Sequence, residues 1–356
     1  MALPLYKGVS HTPPHLHGGL LFDKFFNWEK LGTKADSANK DRYLKLFNKD
    51  WGDQASLERA KQQIIAIVEY LNGQMAIFKN EWRFVTGMGI DHPLENGLSW
   101  HPTLGVPYLA GSGVKGLLRA WCKTWEEFDE AKIERWFGKN SEKDEQGNAG
   151  RLIFFDALPV APVVISSDVM TPHMGDWYEQ GKTDHSPETI PADWHSPNPI
   201  KFLSIKECKL LFAIAPRRPE FVNDAIEAME LLTNALKWMG AGAKTAVGYG
   251  RFIKDPKANG ELNDRIEAIQ KAREESQKEA TLATLPLIDR LFEKYKTIPD
   301  LVRALDNGEF EEETKEAAKR IKELMMGTKN EWDEKGNPAK SKAAKRTLIV
   351  MKYLDE

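Results

Sequence analysis

Cysteine is scarce in this chain: Cys122 and Cys208 are the only two in 356 residues. Two thiols cannot form a disulfide framework or a four-thiolate zinc site, and both lie among apolar residues, which predicts small buried hydrophobes. No run approaches the ~18 consecutive apolar residues of a membrane span. The first residues, Met1 to Lys7, lack the apolar centre of a secretory leader. Together these absences predict a reduced, cytoplasmic protein with no membrane partner. Charge of one sign is missing as well: 50 Lys+Arg face 53 Asp+Glu, a formal net charge of −3. That balance excludes a surface that is basic all over and binds nucleic acid indiscriminately. Histidine is confined to the first 195 residues. What is present, 41% hydrophobic and 29% charged residues, is ordinary globular composition at a length that suits two domains.

Residues 1–56, rich in His, Pro, Gly and Asn, read as irregular with a short helix near 42–47. Leu57, Ala60, Ile64, Ile67, Val68 and Leu71 recur at helical spacing. Trp82–Val85 alternates like a strand, and Val114, Leu117, Leu118 and Trp121 form one helical stripe. Arg151–Phe155 reads as a buried strand, 158–199 as a long proline-rich inserted loop, and 202–214 as a hairpin turning at Lys206-Glu207. A helix over 220–239 follows, with Val222, Ile226, Met229, Leu232, Leu236 and Met239 in phase, Pro219 at its start and Gly240 at its end. A short strand at 250–253 closes the series. The order predicts an α+β fold with a ferredoxin-like (RRM-like) β-α-β-β-α-β core carrying large insertions. After Pro256 the composition becomes highly charged and helical, so the predicted domains are 1–255 and a charged helical extension over 256–356.

Two glycine-rich segments carry the chemistry. Gly111-Ser112-Gly113-Val114-Lys115-Gly116 matches GxGxxG, but Pro107 interrupts the strand a dinucleotide fold needs, and no acid stands suitably about 20 residues on. Gly113–Gly116 also matches the four-residue GXXG loop of KH domains. Lys115 in a first helical turn and Arg119 one turn later oppose the macrodipole. They fit either an anion held by free N–H groups or a tight turn with solvated cations. The second segment, Gly240-Ala241-Gly242-Ala243-Lys244-Thr245-Ala246-Val247-Gly248-Tyr249-Gly250-Arg251, is not a P-loop. Ala243 stands where glycine must precede Lys-Thr, and the helix comes before the loop. Its glycines permit close backbone approach. Lys244 and Arg251 suit phosphate, and Tyr249 suits base stacking. A capped helix end with a packed tyrosine is the alternative.

These segments, PYLAGSGVKGLLR (107–119) and GAGAKTAVGYGRF (240–252), resemble the hallmark turn-helix and C-terminal glycine loop of the RAMP superfamily of CRISPR proteins. Trp136-Phe137-Gly138, GRLIFFDA (150–157), DVMTPH (168–173) and PNPIKFL (197–203) extend the likeness, in order, over about 82–254. Within the superfamily they are most similar to the sixth-subunit family of type III-B (Cmr) effector complexes. The resemblance implies a non-catalytic structural subunit that holds the 3′ region of a CRISPR guide RNA for pairing with complementary target RNA in antiviral defence. It implies packing against other Cmr subunits, namely the backbone RAMP subunit, a small helical subunit and a capping RAMP subunit, with no cofactor and no metal. It places RNA contacts on Ser112, Lys115, Arg119, Lys244, Thr245, Tyr249 and Arg251, with Gly111, Gly113, Gly240, Gly242, Gly248 and Gly250 shaping the loops.

An endoribonuclease is the competing expectation. Asp168, His173, His185, Asp193 and His195 populate one loop and could supply metal or acid–base chemistry, though their spacing matches no metal motif. Closely spaced His11, His15 and His17 are separated by Pro13-Pro14 and do not share a helix face. A pure protein–protein scaffold is the third reading. Charge favours a narrow RNA track: 105–125, 237–254 and 338–352 hold twelve cations and no acid, leaving −15 on the other 302 residues. The last segment reads as a helix with Ala344, Leu348, Met351 and Leu354 on one face.

Overall fold

The computed structural model describes residues 17–24, 37–139, 149–180, 186–187, 190–192 and 194–355. The chain divides into two compact units, 1–267 and 268–356.

In the first unit, strands β2 (Gln74–Asn80), β3 (Leu152–Phe154), β7 (Lys209–Pro216) and β8 (Phe252–Lys254) form a sheet in the order β3-β7-β2-β8. Every neighbouring pair is antiparallel. Helix α4 (Gly111–Thr124) connects β2 to β3, and α7 (Val222–Trp238) connects β7 to β8. This is the ferredoxin-like β-α-β-β-α-β order expected from the sequence. β7, LLFAIAP after its first lysine, is buried along its length because strands flank it on both sides, which is why it reads as one continuous apolar run. Phe78, Phe212 and Phe252 meet edge to face at 5.4 and 5.9 Å, and Phe84 joins Phe252 at 5.2 Å. Helix α7 lies over these rings through Ala225, Ala228, Leu232, Ala235 and Leu236, all fully buried. Small alanines bring the helix close to the sheet, and Ile226, expected to face inward, is instead 40% exposed.

Three local expectations are corrected. The first strand of the core is 74–80; Arg83–Val85 is extended but stands outside the ladder. Its Phe84 exchanges backbone hydrogen bonds with Ile205 at 2.9 and 2.8 Å, while Arg83 and Val85 point their carbonyls to the other side. The 202–214 segment is no hairpin. β6 (Ile200–Glu207) pairs with β5 (Val163–Met170), and β5 with β1 (Asp50–Trp51), in a second, three-stranded sheet. The chain crosses between sheets at Cys208, whose N–H donates to Asn80 Oδ1 at 2.8 Å. The 158–199 insertion is therefore partly strand: Val164–Met170 pairs with β6 despite the prolines around it.

The N-terminal segment holds helices α1 (Gly18–Lys24) and α2 (Ser37–Lys45). Buried Phe22, Phe47, Trp51 and Trp100 compensate for its poor helix-forming composition. Helix α3 (Gln54–Tyr70) starts at Asp53, whose carboxylate accepts from Ser56 N–H. Cys122 and Cys208 are buried free thiols, and burial pushes the Cys122 thiol up to about 12.

The second unit is helical. Its core is formed by Ile288 and Leu291, Leu301 and Leu305, Phe310, Ile321, Met325 and Val350. The last helix, α12 (Lys342–Asp355), buries Ala344, Thr347 and Val350 rather than the expected Leu348, which is 58% exposed. On the same helix Arg346 ion-pairs with Glu331. Among the described residues, no helix is long and apolar enough to cross a membrane.

Candidate nucleic-acid interface

The two glycine segments are built differently. At the first, Gly111 opens α4 against the edge strand β3, and a Cβ there would lie 2.5 Å from the Phe154 carbonyl oxygen. The Gly111 N–H, one of the orphan donors of a helix start, donates to Asp156 Oδ1 at 2.6 Å. The position expected for a docked anion is thus filled by the protein's own carboxylate, and Gly113 N–H turns back to the Ala110 carbonyl. Ser112 is exposed, while Lys115 and Arg119 are half-buried on the outer side of the helix, away from the Val114, Leu118 and Trp121 stripe. Among the described residues neither Lys115 nor Arg119 has a carboxylate in ion-pair range.

The second segment is a backbone clasp. Ala241 N–H donates to the Gly250 carbonyl at 2.7 Å, Ala243 N–H to Val85 at 2.8 Å and Gly250 N–H to Arg83 at 2.7 Å. The carbonyls that Arg83 and Val85 turn away from β6 are the ones accepting here, so 83–85 is held between β6 and the loop. Glycine is required where the backbones touch. Gly242 has φ +84° with a Cβ position 2.1 Å from the Val85 oxygen; Gly250 has φ +72° with one 1.9 Å from the Ala241 oxygen. Gly240 and Gly248 also adopt positive φ, and Lys244 sits in the left-handed region at +60°.

Tyr249 is not available for base stacking. It is 5% exposed; its ring packs on Trp82 at 4.7 Å and Phe202 at 6.2 Å, and its hydroxyl donates to Asp168 Oδ2 at 2.7 Å. Burial, and then the Asp168 hydrogen bond and charge, push its hydroxyl up to about 12. The aromatic face left to solvent is Trp82, 51% exposed and adjacent to Arg251, whose carbonyl accepts from Glu81 N–H. The sequence signal for Trp82 was its place beside Glu81 and Arg83, at the polar start of the Trp82–Val85 segment. Arg251 is exposed and, among the described residues, has no carboxylate partner. Lys244 lies half-buried, its Nζ 3.5 Å from Met170 Sδ and 5.6 Å from the Phe202 ring centre; Thr245 is half-buried beside it.

The two segments do not form one pocket. The first is fixed to β3 and the second to the end of β2 and β8, with β7 and β2 in between. At about 4.8 Å per strand the two edge strands are some 14 Å apart, a few nucleotides of extended chain.

Among the described residues, Asp168, His173 and His195 are not assembled into a site. Asp168 ion-pairs with Arg83 Nε at 3.2 Å, and Arg83 Nη1 donates to Ser204 Oγ at 2.8 Å and also to Ser166. His195 Nε2 bonds to the Ile190 carbonyl, and His173 is exposed. His11, His15, His185 and Asp193 lie outside the described residues. No group of three His, Cys, Asp or Glu among the described residues could hold a metal ion.

Residues 83–253 match the RAMP superfamily. This segment carries the RAMP fold. Two curated relatives are Cmr6 subunits of CRISPR systems. That of Pyrococcus furiosus is 28% identical over 259 positions, covering 56% of this chain and 74% of the relative. That of Saccharolobus solfataricus is 27% identical over 160 positions, covering 44% of this chain and 48% of the relative, so the chain spans about half its length. Among solved structures, a cryo-EM structure of a type III-B Cmr-beta bound to cognate target RNA aligns with a TM-score of 0.47 at 21% identity, covering 64% of this chain and 76% of that one. The crystal structure of Cmr6 from Pyrococcus furiosus aligns with a TM-score of 0.31 at 26% identity, covering 51% and 98%. The RAMP segment contains both glycine motifs and both edge strands that anchor them.

Proposed function

We propose that the chain is a non-catalytic, RNA-contacting subunit of a type III-B (Cmr) CRISPR effector complex. In this reading it holds the 3′ region of the guide RNA, in reach of complementary target RNA, and packs on neighbouring Cmr subunits. The observation that carries it is the clasp at 240–251: a loop made rigid by backbone hydrogen bonds, presenting Lys244 and Arg251 beside the exposed Trp82. A rigid basic edge next to an aromatic face is what single-stranded nucleic acid needs, with cations for phosphates and a π-face for a base. The names of the Cmr6 relatives supply the complex.

The test is guide-RNA retention by the assembled complex across a salt series. Lys244→Ala with Arg251→Ala is expected to weaken retention and flatten the salt dependence by ~0.7 in log–log slope for each lost phosphate contact. Trp82→Ala is expected to weaken retention by about 5- to 150-fold, a stacking loss of ~1–3 kcal/mol, with the slope unaltered. Unchanged retention in both variants sinks the reading. Metal-dependent RNA cleavage by the purified chain that disappears in Asp168→Asn would replace it with the nuclease.

A further inference from the structure

A second basic site lies on the same unit, away from both glycine motifs, where β7 ends and β3 begins. An open cavity of about 540 Å³ is lined by Arg135, Lys139, Arg151, Arg217 and Arg218, with Glu134 and Phe221. Three of these arginines are joined in series through their backbones. Arg151 N–H donates to the Arg135 carbonyl at 2.8 Å, and Arg217 N–H to the Arg151 carbonyl at 2.7 Å. The second bond continues the β3–β7 ladder one step past Leu152↔Pro216. Arg151 and Arg217 are therefore cross-strand neighbours, a placement in which like charges repel.

Gly150 makes the crowding possible. A Cβ there would stand 2.3 Å from the Trp136 carbonyl oxygen, so the chain reaches Arg135 only as glycine. Its carbonyl in turn accepts from Arg217 Nε at 2.9 Å, fixing that guanidinium. Arg151 is oriented by Asp224 at 3.4 Å and by the Phe221 ring at 4.4 Å. Arg218 faces Glu220 at 3.7 Å in an exposed pair, of little energetic weight. Among the described residues Arg135 and Arg217 have no carboxylate in ion-pair range. Guanidiniums that are oriented, adjacent and short of counter-charge favour an anion that bridges them, and their planar donor forks match phosphate oxygens.

We infer that this arginine cavity is a phosphate-binding site for single-stranded RNA, a second contact separate from the 240–251 clasp. The choice of RNA as the phosphate's source rests on the function proposed above; the phosphate chemistry does not. The anion relieves the Arg151–Arg217 repulsion, and the cavity is wide enough for a nucleotide unit.

The test uses the full chain, a labelled single-stranded RNA and a salt titration, with an AMP titration alongside. Arg135→Gln/Arg217→Gln is expected to weaken RNA binding and lower the log–log salt slope by about 1.4, two contacts at ~0.7 each. Its melting temperature should stay level or rise, since repulsion is removed. Arg217→Lys, which keeps the charge but not the fork, should weaken RNA binding with the slope nearly intact. If AMP binding is lost in the double variant while RNA binding is unaltered, the phosphate site stands with a free mononucleotide as its source. If neither ligand responds, the inference is overturned. Lys244→Ala/Arg251→Ala run in parallel keeps the two readings apart. RNA binding that falls in that variant alone removes the cavity and leaves the proposed function. RNA binding that falls in the arginine variant alone does the reverse.

Discussion

The two glycine motifs look alike in the sequence and owe their glycines to different physics. At 111–116 one glycine, Gly111, meets a strand, and the helix start is closed by Asp156; Gly116 faces open space. At 240–250 the backbone folds onto itself and onto the 83–85 segment, and several glycines sit at positive φ where a side chain is strained. The first is a helix docked on a sheet edge. The second is a clasp whose conformation is set by main-chain hydrogen bonds, leaving Lys244 and Arg251 on a rigid support. A similar count of glycines is therefore poor evidence for a similar role; what each Cβ would strike is better evidence.

Substitutions can break that contrast. Gly250→Ala places a Cβ 1.9 Å from the Ala241 oxygen at φ +72°, and is expected to cost at least about 2–3 kcal/mol in the first unit's unfolding free energy. A denaturant midpoint equal to wild type would show that the clasp yields. Asp156→Ala removes the carboxylate that accepts the Gly111 N–H, with an expected loss of about 1 kcal/mol; added sulfate should recover part of it by occupying the freed helix start. No loss on substitution would mean that Asp156 does not close the helix. Gly116→Ala, in open space inside α4, should stabilise by about 0.5–1 kcal/mol, and a decrease would mean that this glycine is also in contact. The first and last outcomes together separate a clasp from a helix start by the sign of one kind of substitution.

A pH scan adds a weaker effect. Burial, opposed by the Phe22 carbonyl hydrogen bond and the Asp23 charge, lowers the pKa of His92, whose ring stacks on Phe22 at 4.0 Å. The unfolded chain then binds the proton more readily, so stability present above about pH 6.5 should decline as the pH falls through that value. His92→Gln should reduce the slope of that decline, measured by denaturant unfolding between pH 7.5 and 5.5.

Much of this molecule was legible in order and periodicity. Helix α7, the strand β3 (though at the sheet edge only its Leu152 is buried) and the α+β series follow from patterns that depend only on neighbours in the chain. So does the match of both glycine motifs to the RAMP hallmarks. The strand at 74–80, Gln-Met-Ala-Ile-Phe-Lys-Asn, was missed because its three buried positions are consecutive, which imitates neither alternation nor a long apolar run. The 202–214 hairpin failed because local spacing cannot report that a chain changes sheets at one cysteine.

The sequence by itself determined which residues are cationic, where glycine is concentrated, and the α+β series of the core. Those are set by side-chain chemistry and local backbone sterics. Only the tertiary structure decided that Tyr249 is core and Trp82 is surface, that Asp168 is committed to Arg83, and that Arg135, Arg151 and Arg217 stand side by side. Exposure and charge proximity depend on residues far apart in the chain, and no local pattern encodes them.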